Sequence, residues 1–540
     1  MTMRLGGLAS GIDVQGMIDQ MMRVERMKVD RYLQQEQRTQ WRQEGLHDMT
    51  KNLANFLLDS RKSFGLTQVS YTGQFRATNV EQFNWVKSAR SSNTTAVTAT
   101  ANANAMQGTH QVQVKQLAEV ARTNSLNLKD VQVGGEDLLK ADGYTFNLSG
   151  EETHNLVIND KNFTVRAGES VFALVNQINR ATDADGKSLG LSASYDREVG
   201  SLMLSTRSTG ASQKINIGGG GIGADIFAEG NRLKNGKDAE ITFNGLDVKR
   251  NTNNISIYGI NLNLKETTLV EGTTDEYATI NINVSTNVDG IVDKIKGFVD
   301  QYNEMLDLIG GKTGEAYHQS YAPLTDEQKL SMTEKDIEKW EEKSKSGLLR
   351  NDETLTRMVQ NMRSLLYEKV ENTTGTFNQI TQIGITTGNF RDGGRLVIDE
   401  DKLREAIAAD ADGVMNLIFK TSDATDSKER SQNSGLYQRI NDEVVIGMKD
   451  LVRRGGTGEN ASLYRSVQGN MLIDFVTKNS SRSLIDRELS TLNTRIAREE
   501  QVLFRKEEAY WKRFTAMEKA MSEMNSQGNW LGAQMGAMFG

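Results

Sequence analysis

The sequence predicts an α+β multidomain protein in which terminal coiled-coil helices and a helical leg domain flank two nested β-rich head modules. Near the carboxyl end, apolar residues recur every seven positions: Leu489, Ile496, Leu503, Tyr510, Met517 and Met524. A second helical pattern begins near residue 14 at the amino end. Between about residues 85 and 290 the apolar period changes from 3.6 to 2, which is typical of half-buried strands.

Length and composition limit the classes of protein to which the chain can belong. With 540 residues it is too long for a single hydrophobic core. A net charge of -7, with both signs interspersed, argues against a nucleic-acid partner held by a general basic surface. The chain has no run of about 20 apolar residues, so we predict no membrane span. Its first residues lack the apolar core of a secretory signal, so we expect no cleaved signal peptide.

Cysteine and proline are the informative absences. The chain has no cysteine, which excludes disulfides, thiolate catalysis and cysteine-ligated zinc. It has one proline, Pro323. Both features suit a chain that unfolds, travels and refolds, because isomerisation of a peptide bond before proline takes about tens of seconds. Long helices and β-rich segments, which exclude proline, explain its scarcity equally well.

A long amphipathic helix is predicted at the amino end. Asp13 stands at the N-cap position, and the first turns carry an apolar stripe. No Gly or Pro interrupts residues 17–44, and the apolar pattern resumes over residues 46–57. For 46–57, an ordinary amphipathic helix on a globular core also explains the pattern well.

A second long helix is predicted at the carboxyl end. Residues 470–527 contain no Gly or Pro, which allows one helix of about 50 residues and about 75–80 Å. Such a helix projects beyond a typical domain, so we predict that its stripe packs on the amino-terminal stripe in an antiparallel or parallel coiled coil. The candidate interface residues are Val14, Met17, Ile18, Met21, Leu489, Leu492, Ile496, Leu503, Tyr510, Phe514, Met517, Met521 and Met524.

Strands are predicted in the centre of the sequence. "HQVQVKQL", "ISIYGINLNLK" and "ATININV" alternate apolar and polar residues between Gly- and Asn-rich turns. One helix interrupts them after Ser170, with Val171, Leu174 and Ile178 on one face. We read two β-rich modules, the inner one inserted in the outer.

Helices return after about residue 288. "IVDKIKGFVDQYNEMLDLI" follows the helical period, a charged helix-rich stretch comes next, and "GRLVIDEDKLREAI" predicts a strand and a helix capped by Asp399. The predicted domains are therefore 1–45 with 476–540, 46–84 with 288–475, 85–121 with 235–287, and 122–234. A fragment of about 70–475, without the long terminal helices, is expected to fold.

Two segments resemble nucleotide-binding motifs but lack the neighbouring structure that such motifs need. Gly218, Gly220 and Gly223 form a G-x-G-x-x-G, but the space before Gly230 is too short for the helix that such a site needs. "GGKTG" at 310–314 follows a helix and lacks the first glycine of a P-loop. We predict no cofactor.

Metal and catalytic motifs fail as well. The four histidines, His47, His110, His154 and His318, have no metal-ligand spacing. "TDADG" at 182–186 and "ADADG" at 409–413 start like calcium loops but lack the later ligands. No activated-nucleophile signature is present. The sequence therefore predicts no catalytic residue, no metal site and no enzyme.

An ordered set of segments carries a family resemblance. "GLASGIDV", "KDAEITFNGLDVKRNTNNI", "GINLNLKET" and "FVDQYNEM" resemble the flagellar filament cap proteins, also called the flagellar hook-associated protein 2 family. "PLTDEQKLSMTEKDIEKWEEKSKSGLLRND", "GRLVIDEDKLREAI" and "YWKRFTAMEKAMSEMNSQGNWL" look like later landmarks of the same family. The resemblance runs from Gly7 to Leu531, and the inner β module resembles the family least distinctly.

This resemblance implies a function and its partners. Family members are exported without a cleaved signal through the flagellar type III apparatus and assisted by an export chaperone. They form a homo-oligomeric ring at the distal filament tip, outside the cell, and guide flagellin into place. Hook–filament junction protein is a further implied partner. The terminal helices would be the legs of this cap, and the β modules its plate.

Three other classes remain open on the residues alone. A secreted adhesin would also have a β-rich centre, and hook–filament junction proteins also have terminal coiled coils. Normal filament growth without the protein would favour the adhesin. An enzyme hidden in the inserted module is the least favoured, and substrate turnover would identify it.

Overall fold

The computed structural model describes residues 13–69, 75–77, 80–148, 153–183, 185–227, 233–388, 393–460, 463 and 483–539. The chain divides into two compact units. The first, the helical unit, comprises residues 1–77 and 292–540. The second, the β-rich unit, comprises residues 78–291. The predicted combination of terminal helices, a helical domain and β-rich modules is confirmed.

Helices dominate the helical unit. They are α1 (Val14–Phe64), α4 (Val288–Gly314, most of which lies in this unit), α5 (Asp326–Leu330), α6 (Glu334–Lys345), α7 (Glu353–Tyr367), α8 (Glu400–Phe419), α9 (Ser427–Asn433), α10 (Leu436–Gly455) and α11 (Leu484–Phe539). Two short hairpins accompany them, β1 (Thr67–Val69) with β2 (Phe75–Ala77), and β19 (Ile385–Thr387) with β20 (Leu396–Ile398).

Helix α1 is continuous over 51 residues, so the two amino-terminal patterns belong to one helix. The predicted N-cap is confirmed, because the Asp13 carboxylate accepts a hydrogen bond from the Gly16 backbone N–H at 2.8 Å. Gly65 ends the helix in the left-handed conformation. Gly45 remains helical, and a Cβ there would lie only 3.3 Å from the Leu349 side chain. This close packing suits glycine despite its poor helix propensity.

The core of the helical unit forms around the second half of α1. Leu46, Leu53 and Phe64 are completely buried, and α1 contacts α10, which in turn contacts α7 and α8. The Phe64 ring packs edge-on against Phe419 and Tyr437, with centroids 4.6 and 5.2 Å away. The fragment 70–475 lacks this half of α1, so from the structure we expect its helical part to lose this core.

The β-rich unit contains an eight-stranded antiparallel sheet. Its strands are β3 (Lys87–Ser91), β4 (Val97–Ala101), β5 (Gly108–Gln116), β14 (Ala239–Phe243), β15 (Leu246–Arg250), β16 (Asn254–Ile257), β17 (Ile260–Leu264) and β18 (Ile280–Thr286). Their order is β15-β14-β5-β18-β3-β4-β17-β16. The alternating apolar residues, such as Val112, Val114 and Ile282, form one buried core.

The sequence between β5 and β14 builds a second core within this unit. Two three-stranded sheets surround it, β10 (Lys161–Arg166), β9 (Thr153–Ile158) and β13 (Ile217–Gly221), and β11 (Leu191–Asp196), β12 (Ser201–Thr209) and β6 (Val120–Asn127). Helices α2 (Val171–Asn179) and α3 (Gly223–Ile226) and the short strands β7 (Gln132–Val133) and β8 (Glu136–Asp137) complete this part. The two β cores are thus nested, as predicted.

The two β cores join through close backbone contacts. Glu119 pairs with Lys237, and Arg122 pairs with Lys234, as isolated antiparallel bridges. Gly210 has φ 120°, and a Cβ there would lie 2.8 Å from Cβ of Asn251. The junction therefore requires glycine both for its backbone conformation and for space.

Candidate functional site: the terminal helix pair

Helices α1 and α11 pair in antiparallel orientation. Lys28 Nζ lies 2.7 Å from Glu499, and Gln43 Nε2 donates to Asp486 at 2.7 Å. Residue numbers therefore rise along α1 as they fall along α11. The sequence left parallel and antiparallel coiled coils open, and the structure selects the antiparallel one.

A small apolar cluster forms the outer seam between the two helices. Val14, Ile18, Met22 and Trp511 are buried in it. Partly buried side chains pack around this cluster, namely Met21, Leu503, Tyr510 and Phe514. The seam is thus a narrow stripe, with solvent on both flanks, of the kind expected for two coiled helices.

Charged groups line the flanks of the seam. The Lys506 ammonium donates to Glu25, and this hydrogen bond lowers the pKa of the Glu25 carboxyl. A hydrogen bond to Glu499 raises the pKa of Lys28. These groups occupy flanking positions where opposite charges select partner and orientation more than they add stability.

The start of α11 is fixed by a reciprocal cap. The Asp486 N–H donates to Ser483 Oγ at 3.0 Å, and the Ser483 N–H donates to the Asp486 carboxylate at 2.9 Å. Burial alone would raise the pKa of Asp486, but hydrogen bonds from Gln43 and Ser483 lower it. Gln43 Nε2 also lies 2.8 Å from the Gly455 carbonyl oxygen, so it ties α1, α10 and α11 together.

The predicted interface residues differ in burial. Val14, Ile18, Leu492 and Ile496 are buried. Partly buried are Met17, Met21, Leu489, Leu503, Tyr510, Phe514 and Met521. Met517 and Met524 are exposed, by 38% and 67%. Their assignment to an interface between chains stays a prediction.

The seven-residue series does not follow the contact along the whole helix. Ile496 is its only buried member, whereas the large buried side chain of the outer seam is Trp511, one residue after Tyr510. A straight helix drifts by about 20° per seven residues, so one series leaves the seam after a few turns. Trp511 and Met22 are absent from the candidate interface residues, although Met22 lies on the predicted amino-terminal stripe, and allowing for this drift would have found Trp511.

Helix α11 continues past the glycine at which the sequence pattern placed its end. Gly528 and Gly532 are helical and have no atom within 4 Å of an added Cβ. Apolar residues just before and beyond Gly528 are exposed, including Met524, Trp530, Leu531 and Met535. The start of the predicted helix, residues 470–482, lies outside the described residues. The end of α11 thus presents apolar surface that the seam does not bury.

The discarded nucleotide motifs have structural roles. Residues 218–223 include part of β13 and the start of α3, a helix of four residues. "GGKTG" forms the last turn of α4, where Thr313 Oγ1 donates to the Ile309 carbonyl. Neither segment places a long helix amino terminus at a phosphate site.

The discarded calcium-like motifs also have structural roles. Asp410 has non-helical φ/ψ at a kink in α8, and its carboxylate accepts from the backbone N–H groups of Thr376 and Gly413. These bonds lower the pKa of Asp410. Asp183 accepts from the backbone of Asp185 and Lys187 in a turn. Both aspartates therefore satisfy backbone donors.

Among the described residues, no group of three or more His, Cys, Asp or Glu side chains is placed to hold a metal ion. In the same residues, every helix is too short or too polar to cross a bilayer.

Comparison with known proteins gives matches at both ends of the chain. Residues 236–526 match the family described as Flagellar hook-associated protein 2 C-terminus, and residues 10–121 match Flagellar hook-associated protein 2 N-terminus. Neither range includes residues 122–235, the part with the second β core. The matched ranges include all of α1 and most of α11.

Individual relatives extend the match. The chain is 30% identical over 97% of its length to a flagellar hook-associated protein 2 of Halalkalibacterium halodurans, and covers 98% of it. It is 27% identical over 69% of its length to that of Thermotoga maritima, and covers 53% of it. A solved structure of the D1-D2-D3 domains of the flagellar cap protein FliD from Escherichia coli matches with 20% sequence identity and a TM-score of 0.45. The match covers 76% of this chain and 95% of that chain.

Proposed function

The chain belongs to the flagellar hook-associated protein 2 family, whose members are structural proteins and not enzymes, and we propose that it is a subunit of the flagellar filament cap. The observation that carries this proposal is the 30% identity over 97% of the chain. The match includes the terminal helices and the central strands in one order, so it supports a role for the chain as a whole.

In this proposal the chain forms a homo-oligomeric ring at the distal filament tip and promotes insertion of flagellin. The exposed end of α11 is the physical support. A soluble chain that displays Met524, Trp530 and Leu531 on one helix gains free energy when another chain covers them. Met517, Met521 and Met524 are the residues proposed to bury in the assembled leg.

We assign the four predicted segments to parts of the cap. Residues 1–45 with 476–540 form the terminal leg, and 46–84 with 288–475 form the helical leg domain. Residues 85–121 with 235–287, and the inserted 122–234, form the plate. Hook–filament junction protein, the type III export apparatus and an export chaperone are the further proposed partners. Export without a cleaved signal and an extracellular location at the filament tip complete the proposal.

The terminal apolar stripe provides the first test in cells. A chain truncated after residue 516 keeps the seam cluster and its ion pairs, so it should fold and be exported. Because the proposed contact surface is removed, filaments should be short or absent, with unpolymerised flagellin in the medium. Filament length and secreted flagellin are measured together.

A pair of point variants sharpens the same test. Met524→Glu places a charge in the proposed contact, whereas Lys519→Glu changes an exposed polar position on the same helix. Only the first should impair filament growth. Normal filaments with the truncated chain would contradict the role of α11. Unchanged flagellin secretion after complete deletion of the gene would contradict the cap proposal itself.

A further inference from the structure

A groove runs along α1 within the helical unit. Helix α1 forms its floor, α11 forms one wall, and residues 323–329, which include part of α5, form the other wall. The cavity measures about 490 Å³. The terminal helix pair therefore carries a concave surface that borders the outer seam at Met22 and Leu503 and lies apart from the exposed end of α11.

The groove is lined at helical spacing on both long sides. Floor residues include Met22, Val29 and Leu33, which recur at intervals of seven and four, and the floor extends to Gln40. It therefore measures about 27 Å along α1. The α11 wall presents Glu500, Leu503, Phe504 and Glu507, the i, i+3, i+4 and i+7 positions of one helix face. Two such faces side by side form the seat for a third helix.

Apolar surface in the groove remains open to solvent. The Phe504 side chain is 62% exposed and Leu33 is 40% exposed, although both line the cavity. Phe504 is not a member of the outer seam cluster. Covering these two side chains would remove apolar area from water without disturbing the pairing of α1 with α11.

Hydrogen bonds hold the second wall in place. Gln34 Nε2 on α1 donates to the Pro323 carbonyl oxygen at 2.8 Å, and Arg23 pairs with Glu327 at 2.9 Å. Thr325 and Gln328 cap α5 reciprocally. The wall is therefore bound to the floor at two points along the groove, which preorganises the surface for a ligand.

The groove is strongly acidic. Its lining includes two basic residues, Arg26 and Lys329, and Lys329 pairs with Glu341 outside the groove. Burial raises the pKa of Asp30; the charge of Arg26 opposes this rise, and the neighbouring Glu327 and Asp326 add to it. The acidic lining residues are Asp30, Glu36, Asp326, Glu327, Glu500 and Glu507. A ligand that brings positive charge would relieve the repulsion among these carboxylates.

We propose that this groove binds an amphipathic helix of another polypeptide, one that carries Lys or Arg on both flanks of its apolar stripe. The apolar stripe covers Phe504 and Leu33, and the basic flanks face the carboxylates of α11 and α5. The proposal concerns a surface of the folded chain and does not depend on the cap function.

The exposed end of α11 from a second copy of this chain fits the groove less well. Its exposed apolar stripe, near the end of α11, is flanked by Glu518 and Glu523 and by a single base, Lys519. Docking this stripe would add carboxylates to an acidic surface. A separate cationic helix is therefore the favoured occupant.

The test uses two designed peptides and the full-length protein. Each peptide has about 18 residues, the span of the groove, and the same heptad stripe of leucines. One carries Lys and Arg on its flanks, and the other carries Glu at the same positions. Fluorescence anisotropy should show binding of the cationic peptide at least about tenfold tighter than that of the acidic one. Added salt should weaken the cationic complex.

Variants assign this binding to the groove. Joint Glu500→Gln and Glu507→Gln keeps the side-chain size and should weaken the cationic peptide about tenfold while reducing its salt dependence. Phe504→Ala should weaken it by a similar factor. Glu523→Gln, on α11 but outside the groove, should leave it unchanged. Circular dichroism checks that all variants keep the helical content of the parent.

Each outcome decides the proposal. Selective binding that the groove variants weaken, and the Glu523 variant does not, supports it. No binding, equal binding of both peptides, or equal loss in the Glu523 variant overturns it. Self-association that depends on Phe504 and displaces the peptide would identify a second copy as the occupant and would also overturn it.

Discussion

The two halves of α1 have different surroundings, although they form one uninterrupted helix. Its carboxyl-terminal half, from Leu46 to Phe64, lies in the core of the helical unit, with several completely buried side chains. Its amino-terminal half pairs with α11 through a narrow cluster and a few surface ion pairs. The inner half is therefore stabilised by the core of the helical unit, and the outer half mainly by its pairing with one other helix, α11.

The largest effect is expected from the inner half. Phe64→Ala removes a ring that contacts Phe419, Tyr437 and Phe298, with centroids 4.6 to 5.5 Å away. Such a truncation in a packed core costs about 3–5 kcal/mol of the free energy of unfolding. Guanidinium denaturation followed by circular dichroism measures it. A loss below about 1 kcal/mol would show that this core tolerates the cavity and that the two halves differ little.

The ion pair between Asp352 and Arg454 should have the next largest effect. Its shortest distance is 2.7 Å, and the Asp352 side chain is only 3% exposed. Burial alone would raise the pKa of Asp352, but hydrogen bonds and charge from Arg454 lower it below its ordinary value of 3.8. Asp352→Asn leaves Arg454 without its carboxylate and should cost about 3 kcal/mol at neutral pH.

The same pair predicts a pH dependence with a definite sign. Because the folded-state pKa of Asp352 is lowered, its stabilisation is complete above the ordinary value and is lost as the pH falls through the folded value. Below about pH 4, the free energy of unfolding should therefore fall less steeply in Asp352→Asn than in the parent. Equal slopes in denaturation series at several pH values would contradict this contribution.

A smaller and more local effect is expected in the outer half. Trp511→Ala removes the largest buried side chain of the seam cluster, so α11 should separate from the first turns of α1. The loss in the free energy of unfolding should be smaller than for a tryptophan truncated in a closed core, which costs about 3–5 kcal/mol, because solvent already borders the seam. Limited proteolysis measures cleavage within residues 14–40. Met524→Ala serves as the control, since Met524 lies outside the cluster, and equal cleavage in both variants would refute the seam.

The smallest effect is expected from the surface ion pairs. Lys28→Glu brings two carboxylates together at Glu499, and the double variant with Glu499→Lys restores opposite charges. The single change should raise hydrogen exchange near residue 28 without a measurable shift of the denaturation midpoint, and the double change should restore the parent exchange. A midpoint shift as large as that of Trp511→Ala would contradict the expectation that surface ion pairs stabilise the helix pair less than its buried side chains do.

Periodicity predicted the elements well because it reports which face is buried. The spacing of Val171, Leu174 and Ile178 and the cap Ser170 predicted α2, and alternation predicted β5 and β18. Gly45 and Gly528 misled the boundaries, since glycine lowers helix propensity by about 1 kcal/mol and tertiary packing overrides it at Gly45. At Gly528 no atom lies within 4 Å of an added Cβ, so no packing contact accounts for the continuation of the helix there.

The candidate site was only partly predictable for a different reason. The stripes of α1 and α11 indicated that the helices pair, but their orientation depends on Lys28, Glu499, Gln43 and Asp486 meeting across the chain. The acidic groove escaped prediction because Pro323 and α5 join it from a distant part of the sequence. Contacts between residues so far apart in the sequence produce no local periodicity from which they could be predicted.

Hydrogen exchange on the intact chain, as a dilute monomer and in the assembled state, tests most directly whether other chains complete the outer half. The inner half of α1, residues 46–64, should be strongly protected in both states. In the monomer, residues 14–40 should exchange faster than the inner half but remain partly protected by the seam, and residues 517–535 should exchange quickly; both should become more protected on assembly. Equal protection of both halves in the monomer, or no gain on assembly, would contradict the account.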